Sequence, residues 1–278
     1  AKYKNTKQMA KSAKKEISDS KLRKYLISIP LIALGIKFIT MINIQEGIWL
    51  GADGENYLKG VNGLLESGFF STESVLSYWP AGYPLLLWPF ALFFNSLFFH
   101  LIGVVQSIFF AYATFFMTNK MAKSSLKGFA FWTSVALSFN PTLSLSSLAI
   151  GYEAPIAACF MMIAGTVLST FNKPINKHFW IAVASVGGWF ALATFMQPRF
   201  LLIAIIIASL WSLRVIGKKN RLRIASLVIA IMMAAPAIMI FRNAISIEKA
   251  TISTNLGVTM RIGAGPETSG GYVRSGPE

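Results

Sequence analysis

This sequence predicts an all-α polytopic membrane protein, with about seven transmembrane helices and further helices lying along its outer face. Three observations predict it. The 278 residues are 54% hydrophobic and only 13% charged, whereas a soluble domain carries about a quarter charged residues. The apolar residues fall in repeated runs near the ~20 residues that cross a bilayer. The basic residues collect in the short links between those runs, as in cytoplasmic loops. Transmembrane helices satisfy their own backbone hydrogen bonds, and nothing here alternates like a barrel strand.

The net charge of +15 does not imply nucleic acid, because nine of the 26 Lys/Arg lie in residues 1–24 and most others in links. Cys159 stands alone in an apolar run, so no disulfide framework or zinc cluster can form from it. His100 and His178 lack metal-ligand spacing, and no dense cluster of oxygen ligands demands a cation, so no cofactor is expected. Metal dependence stays open.

The elements follow in order. Residues 1–24 read as a basic cytoplasmic tail, Lys-rich for too long to be a signal peptide's n-region. No small-residue cleavage site follows, so residues 25–44 read as a retained first span. Residues 45–97 form an outer loop with interfacial helices and a dip into the membrane. Residues 98–241 hold six spans, near 98–117, 128–147, 154–171, 179–197, 200–216 and 224–241. Residues 242–278 form an outer-face segment. The dip is needed because 80–96 is also apolar, and counting it as a crossing would put Lys120, Lys123 and Lys127 outside. With the dip, 19 of 26 basic residues are cytoplasmic and 9 of 11 acids are outside; the Lys/Arg count decides orientation. Pro80, Pro84 and Pro89 support it, each removing a donor or bending the backbone.

Scattered polar residues then collect on one face. Asp53 and Glu55 open residues 55–66, where Tyr57, Val61, Leu64 and Leu65 share one helical face opposite Glu55, Lys59, Asn62 and Glu66, as in a helix lying at the interface. Asp53 is either a cap for that helix or a general base for an acceptor hydroxyl. Glu153, before Pro155, is either a helix start or a second site acid. Arg199, after Gln197-Pro198, is either an anion ligand or a snorkelling cation. Lys37 inside the first span divides the same way. Tyr78, Trp79 and Tyr83 are an aromatic belt or the wall of a groove.

Several motifs carry a resemblance. Asp53…Tyr57, Pro80-Ala81-Gly82-Tyr83-Pro84-Leu85-Leu86, Asn140-Pro141 with Glu153, Pro236…Arg242-Asn243, and Ser253-Thr254-Asn255 with Gly257, Gly263, Gly265-Pro266 and Gly270-Gly271-Tyr272 occur in this order. Together they resemble GT-C-type glycosyltransferases that use polyprenyl-phosphate sugars. The protein O-mannosyltransferase and lipid A aminoarabinose transferase group is the most similar. The resemblance implies a GT-C-like fold in a plasma or bacterial inner membrane, with an active site on the extracytoplasmic face. It implies inverting transfer of a sugar from a polyprenyl-phosphate donor to a hydroxyl or amine of a lipid, glycan or protein acceptor. Asp53 would be the base, with Glu55 and Glu153 as further candidate catalytic acids. Tyr57, Lys37, Tyr83, Arg199, Arg242 and Asn255 would bind substrate. Related proteins more often have Arg directly before the Pro where this chain has Gln197, and they continue past the position of Glu278, so a fragment is expected. The rival is a binder or transporter of lipid-linked sugars, which would need polar residues along the membrane interior.

Overall fold

The computed structural model describes residues 19–44, 48–51, 53–171, 173–213 and 218–255. Helices dominate: α1 (Asp19–Ile42), α2 (Gly54–Ser67), α3 (Val75–Tyr78), α4 (Gly82–Phe94), α5 (Phe98–Met121), α6 (Lys127–Ser138), α7 (Pro141–Leu145), α8 (Glu153–Thr170), α9 (Lys177–Met196), α10 (Phe200–Leu213), α11 (Lys218–Met232) and α12 (Ala234–Ser246). Two short strands, β1 (Trp49–Leu50) and β2 (Ala149–Ile150), pair in parallel. Five helical stretches among the described residues are long and apolar enough to cross a membrane: 19–42, 82–121, 153–170, 177–196 and 220–246. The outward side chains of these and neighbouring helices are apolar, Ile39, Trp132, Ile181 and Leu202 each being more than half exposed. An apolar exterior over an all-α body is that of a membrane protein.

The span expected over 128–147 is not one helix. Pro141 disfavours helical geometry in the preceding residue, and Asn140 sits at φ −63°, ψ 118°. Its side-chain carbonyl accepts from Leu143 N–H at 2.7 Å, starting a new helix instead. α6 and α10 are both shorter than a full crossing. The stretch 220–246 breaks at Met233, because Pro236 cannot donate to the Met232 carbonyl one turn back.

Small residues let the helices approach closely, which is how helices pack where water is absent. α5 lies on α8 through Phe110, Ala113, Ala154, Ala158 and Met161, and α8 continues onto α9. Phe190, Val186, Ala204, Ala208, Val228 and Met232 join α9 to α10 and α11. The buried Thr114 and Thr118 hydroxyls donate to the carbonyls of Phe110 and Thr114 on their own helix.

The stretch 82–121 is not one rod. Tyr83 Oη donates to Gln106 Oε1 at 3.1 Å, yet a straight helix would separate these residues by about 35 Å at ~1.5 Å per residue. The chain therefore reverses at Asn95–Leu97, where Asn95 has φ −5° and ψ −76°. The prolines do not make this turn. Pro84 lies in the first turn of α4, where no N–H is needed, and the helix runs on through Pro89.

Contacts sort the chain into two ends. At one, Lys127 meets Asp19 at 2.9 Å, joining the starts of α6 and α1 beside the basic 120–127 link. At the other lie the β1–β2 pair, the α2–α4 loops, the end of α9 and residues 242–255.

Candidate functional site

The second end is built around the strand pair. Leu50 pairs with Ile150 in parallel, and each is followed by the same pattern: Leu50-Gly51-Ala52-Asp53 and Ile150-Gly151-Tyr152-Glu153. Both acids therefore stand three residues beyond one register point, each at the start of a helix. Close approach is why position 51 is glycine: a Cβ there would lie 2.8 Å from the Ile150 carbonyl oxygen. At Gly151 the Glu153 carboxylate folds back over the space a side chain would fill, but that carboxylate is the end of a flexible side chain and could swing aside.

Asp53 occupies the N-cap position of α2 but makes no capping hydrogen bond, and it is half-buried. Its carboxylate is not used in capping. Tyr57, one turn on, is buried. Its hydroxyl is pushed well above the ordinary tyrosine value, first by burial, then by Tyr152, Asp53 and Glu153. Both carboxylates thus act on one phenol. Tyr57, Tyr83 and Tyr152 form a three-ring cluster, with centroids 5.0, 6.0 and 6.4 Å apart, all edge to face.

The cluster is pinned from below. Gly151 N–H donates to Tyr83 Oη at 2.9 Å, and Gln106 Nε2 donates to the Ala149 carbonyl at 3.1 Å. Gln197 Nε2 donates to Tyr152 Oη at 2.8 Å, bringing in the end of α9. Gln106, Tyr152 and Gln197 were not among the expected site residues. A lone glutamine inside an apolar helix is a visible signal for Gln106; Tyr152 and Gln197 show none without the fold.

Several expected roles change. Glu55 is exposed, on the face of α2 turned away from Tyr57, and does not join the cluster. Leu65, expected on the apolar face, is 43% exposed, while Gly60 and Gly63 are buried. Tyr57 and Tyr83 are 3% and 2% exposed, so they scaffold the site rather than offer an open surface. Arg242, expected to meet a phosphate, is fully buried. Its Nε donates to the Phe69 carbonyl at 3.0 Å, and its terminal nitrogens to the carbonyls of Leu76 and Ser71 and to Asn243 Oδ1. It clamps a loop. Asn243 extends the clamp, its Nδ2 donating to the carbonyls of Thr251 and Ile252.

Arg199 is exposed at this end, its guanidinium 5.6 Å from the Phe200 ring centroid. Asn255 Oδ1 accepts from Ser253 Oγ, while Thr254 N–H donates to the Ser77 carbonyl. Gly257, Gly263, Gly265, Pro266, Gly270, Gly271 and Tyr272 lie outside the described residues. Lys37 is buried, its ammonium 4.6 Å from the Phe110 ring centroid, and does not snorkel outward. Among the described residues no three His, Cys, Asp or Glu side chains converge as a metal site. The chain matches no family model, no curated protein and no solved structure.

Proposed function

We propose that this chain is a membrane glycosyltransferase of GT-C-like architecture with about seven membrane-embedded helical segments. Its strand-pair end faces the extracytoplasmic side of a bacterial inner membrane, with α4 and the start of α5 forming a helical hairpin at the outer leaflet. One observation carries the reading: the parallel register delivers Asp53 and Glu153 to one tyrosine cluster, with Asp53 free of any capping bond. Two carboxylates beside buried phenols at a membrane edge suit proton transfer on a hydroxylated substrate.

In this reading the donor is a polyprenyl-phosphate sugar. Asp53 takes the proton of an acceptor hydroxyl as its oxygen bonds the anomeric carbon. The bond from that carbon to the phosphate oxygen breaks, and the prenyl phosphate leaves with the electron pair, inverting the centre. Glu153 orients the sugar or acceptor hydroxyls. Arg199 offsets the charge growing on the leaving phosphate, an effect strongest where water is excluded. Transport is the weaker reading, since the buried Thr114, Thr118, Thr166 and Thr194 hydroxyls bond to their own helices and leave no polar path between the two ends there.

The test is Asp53→Asn and Glu153→Gln in the full protein, assayed for transfer from a polyprenyl-phosphate sugar per correctly inserted molecule. Asn keeps the shape and can still cap. Loss of a general base lowers turnover about 10²–10⁴-fold. Normal turnover in Asp53→Asn with a loss in Glu153→Gln would move the base to Glu153. No loss in either would end the proposal.

A further inference from the structure

A cavity of about 160 Å³ lies between α1 and the α6–α7 corner, lined by Ala33, Lys37, Ser138, Asn140 and Ser144, with Ile36, Phe139 and Leu145 beside them. That is roughly ten times the ~10–15 Å³ of such space that admits one water. Lys37 is 2% exposed, yet its ammonium meets no carboxylate among the described residues and has only the Phe110 ring face beside it. A ring face offsets only part of the cost of burying an ammonium. The Ser138 hydroxyl is buried in the same wall without a hydrogen-bond partner. Asn140 uses its carbonyl on Leu143 N–H, which leaves its amide N–H groups as donors at the rim. The Ser144 hydroxyl gives its proton to the Ser138 carbonyl at 2.7 Å, so the donors left for a guest are the Lys37 ammonium, the Ser138 hydroxyl and the Asn140 amide. A cation with donors beside it selects an oxyanion.

The mouth says how the anion arrives. Ile36, Phe139 and Leu145 are 49%, 46% and 38% exposed, and they belong to the apolar exterior of the molecule. A free ion would have to cross that apolar belt. A lipid would bring its own chains to it. We infer that the Lys37 pocket is a binding site for the phosphate of an anionic lipid, entered sideways from the bilayer, with the lipid chain resting on Ile36, Phe139 and Leu145. Lys37 supplies the charge, and Ser138 and Asn140 supply directional hydrogen bonds. This assignment does not depend on glycosyl transfer.

The experiment is native mass spectrometry of the purified full protein in detergent, titrated with dioleoyl phosphatidic acid, dioleoylglycerol or inorganic phosphate. One phosphatidic acid should be retained, and dioleoylglycerol should not displace it. Lys37→Met should weaken retention about tenfold to a hundredfold, and Ser138→Ala about threefold to tenfold. Without lipid, Lys37→Met should melt higher than the parent, because an uncompensated buried charge is gone; a merely structural lysine would make it melt lower. Should Lys37→Met fail to fold, acylation of Lys37 in the parent protein decides, with protection by phosphatidic acid and none by dioleoylglycerol expected. Equal retention of dioleoylglycerol, unchanged retention in Lys37→Met, or acylation indifferent to phosphatidic acid would overturn the proposal. Displacement by millimolar inorganic phosphate alone would reassign the site to the free ion and overturn the lipid entry.

Discussion

Replacing Arg242 with Met should release the loop between α2 and α3 while leaving the helical body folded. The side chain is fully buried and donates to three backbone carbonyls, those of Phe69, Ser71 and Leu76, and to Asn243. Met keeps the stem and the apolar packing but leaves those carbonyls without donors. Each bond to a charged donor is worth about 1.5–3 kcal/mol. The sum is reduced because the variant no longer buries a cation, so the net loss should resemble the ~3–5 kcal/mol for breaking a buried charged network. At roughly 1.4 kcal/mol per tenfold, loop detachment becomes about 10²–10³·⁵ times more frequent. Amide hydrogen exchange over residues 69–78 reads this directly, against helices α8 and α9 as internal reference. Arg242→Lys should recover little, since one ammonium cannot span the same fork of acceptors. Unchanged protection of 69–78 in Arg242→Met would refute the clamp and return Arg242 to the list of ligand-facing cations.

Tyr83→Phe removes the acceptor for Gly151 N–H and the donor to Gln106, both buried, and should cost about 1–3 kcal/mol, read as a lower melting temperature. Tyr57 has its folded value raised above the ordinary 10.0, by burial first. Its contribution to stability is therefore complete below pH ~10 and is lost as pH rises above that value; Tyr57→Phe should flatten that alkaline decline in a denaturation series. A Ser124→Cys variant should resist a membrane-impermeant maleimide in intact cells and react after permeabilisation, with buried Cys159 giving little background; labelling in intact cells would reverse the assignment of the two ends. Asp53→Asn and Glu153→Gln, as above, test the chemistry.

The five membrane-length helical stretches among the described residues were legible because an apolar run of that length has few other uses. The stretch 128–147 misled because hydropathy does not register the geometry Pro141 imposes on Asn140. The dip over 80–96 follows from the placement of the basic links, with three prolines in support, yet the chain reverses after them, at Asn95–Leu97. Pro84 is harmless in a first turn, and α4 continues through Pro89, so a proline count is a poor guide to where such a stretch bends. Arg242 was misread for a different reason. A cation at the end of an apolar run looks the same whether it awaits a phosphate or a carbonyl. The three carbonyls it holds lie 166 to 173 residues away in sequence, beyond the reach of any local pattern.

The paired acids were half legible. Asp53 and Glu153 each stand out as carboxylates in an apolar chain, but nothing local says they meet. Their meeting depends on two residues of parallel pairing, Trp49 with Ala149 and Leu50 with Ile150. In an extended pair a slip of one residue would turn each side chain to the other face. The tight contact at Gly51 and the bond from Gly151 N–H to Tyr83 Oη hold the register against that slip. The echo of Leu-Gly-x-Asp in Ile-Gly-x-Glu is visible in the sequence. Four residues are too few to separate shared geometry from coincidence, until the backbone places the two copies side by side. Once it does, the offset of three residues in each copy follows from one cause. A two-residue bridge brings two acids a hundred positions apart to the same phenol, and buried Tyr83 holds that bridge in place through Gly151 N–H.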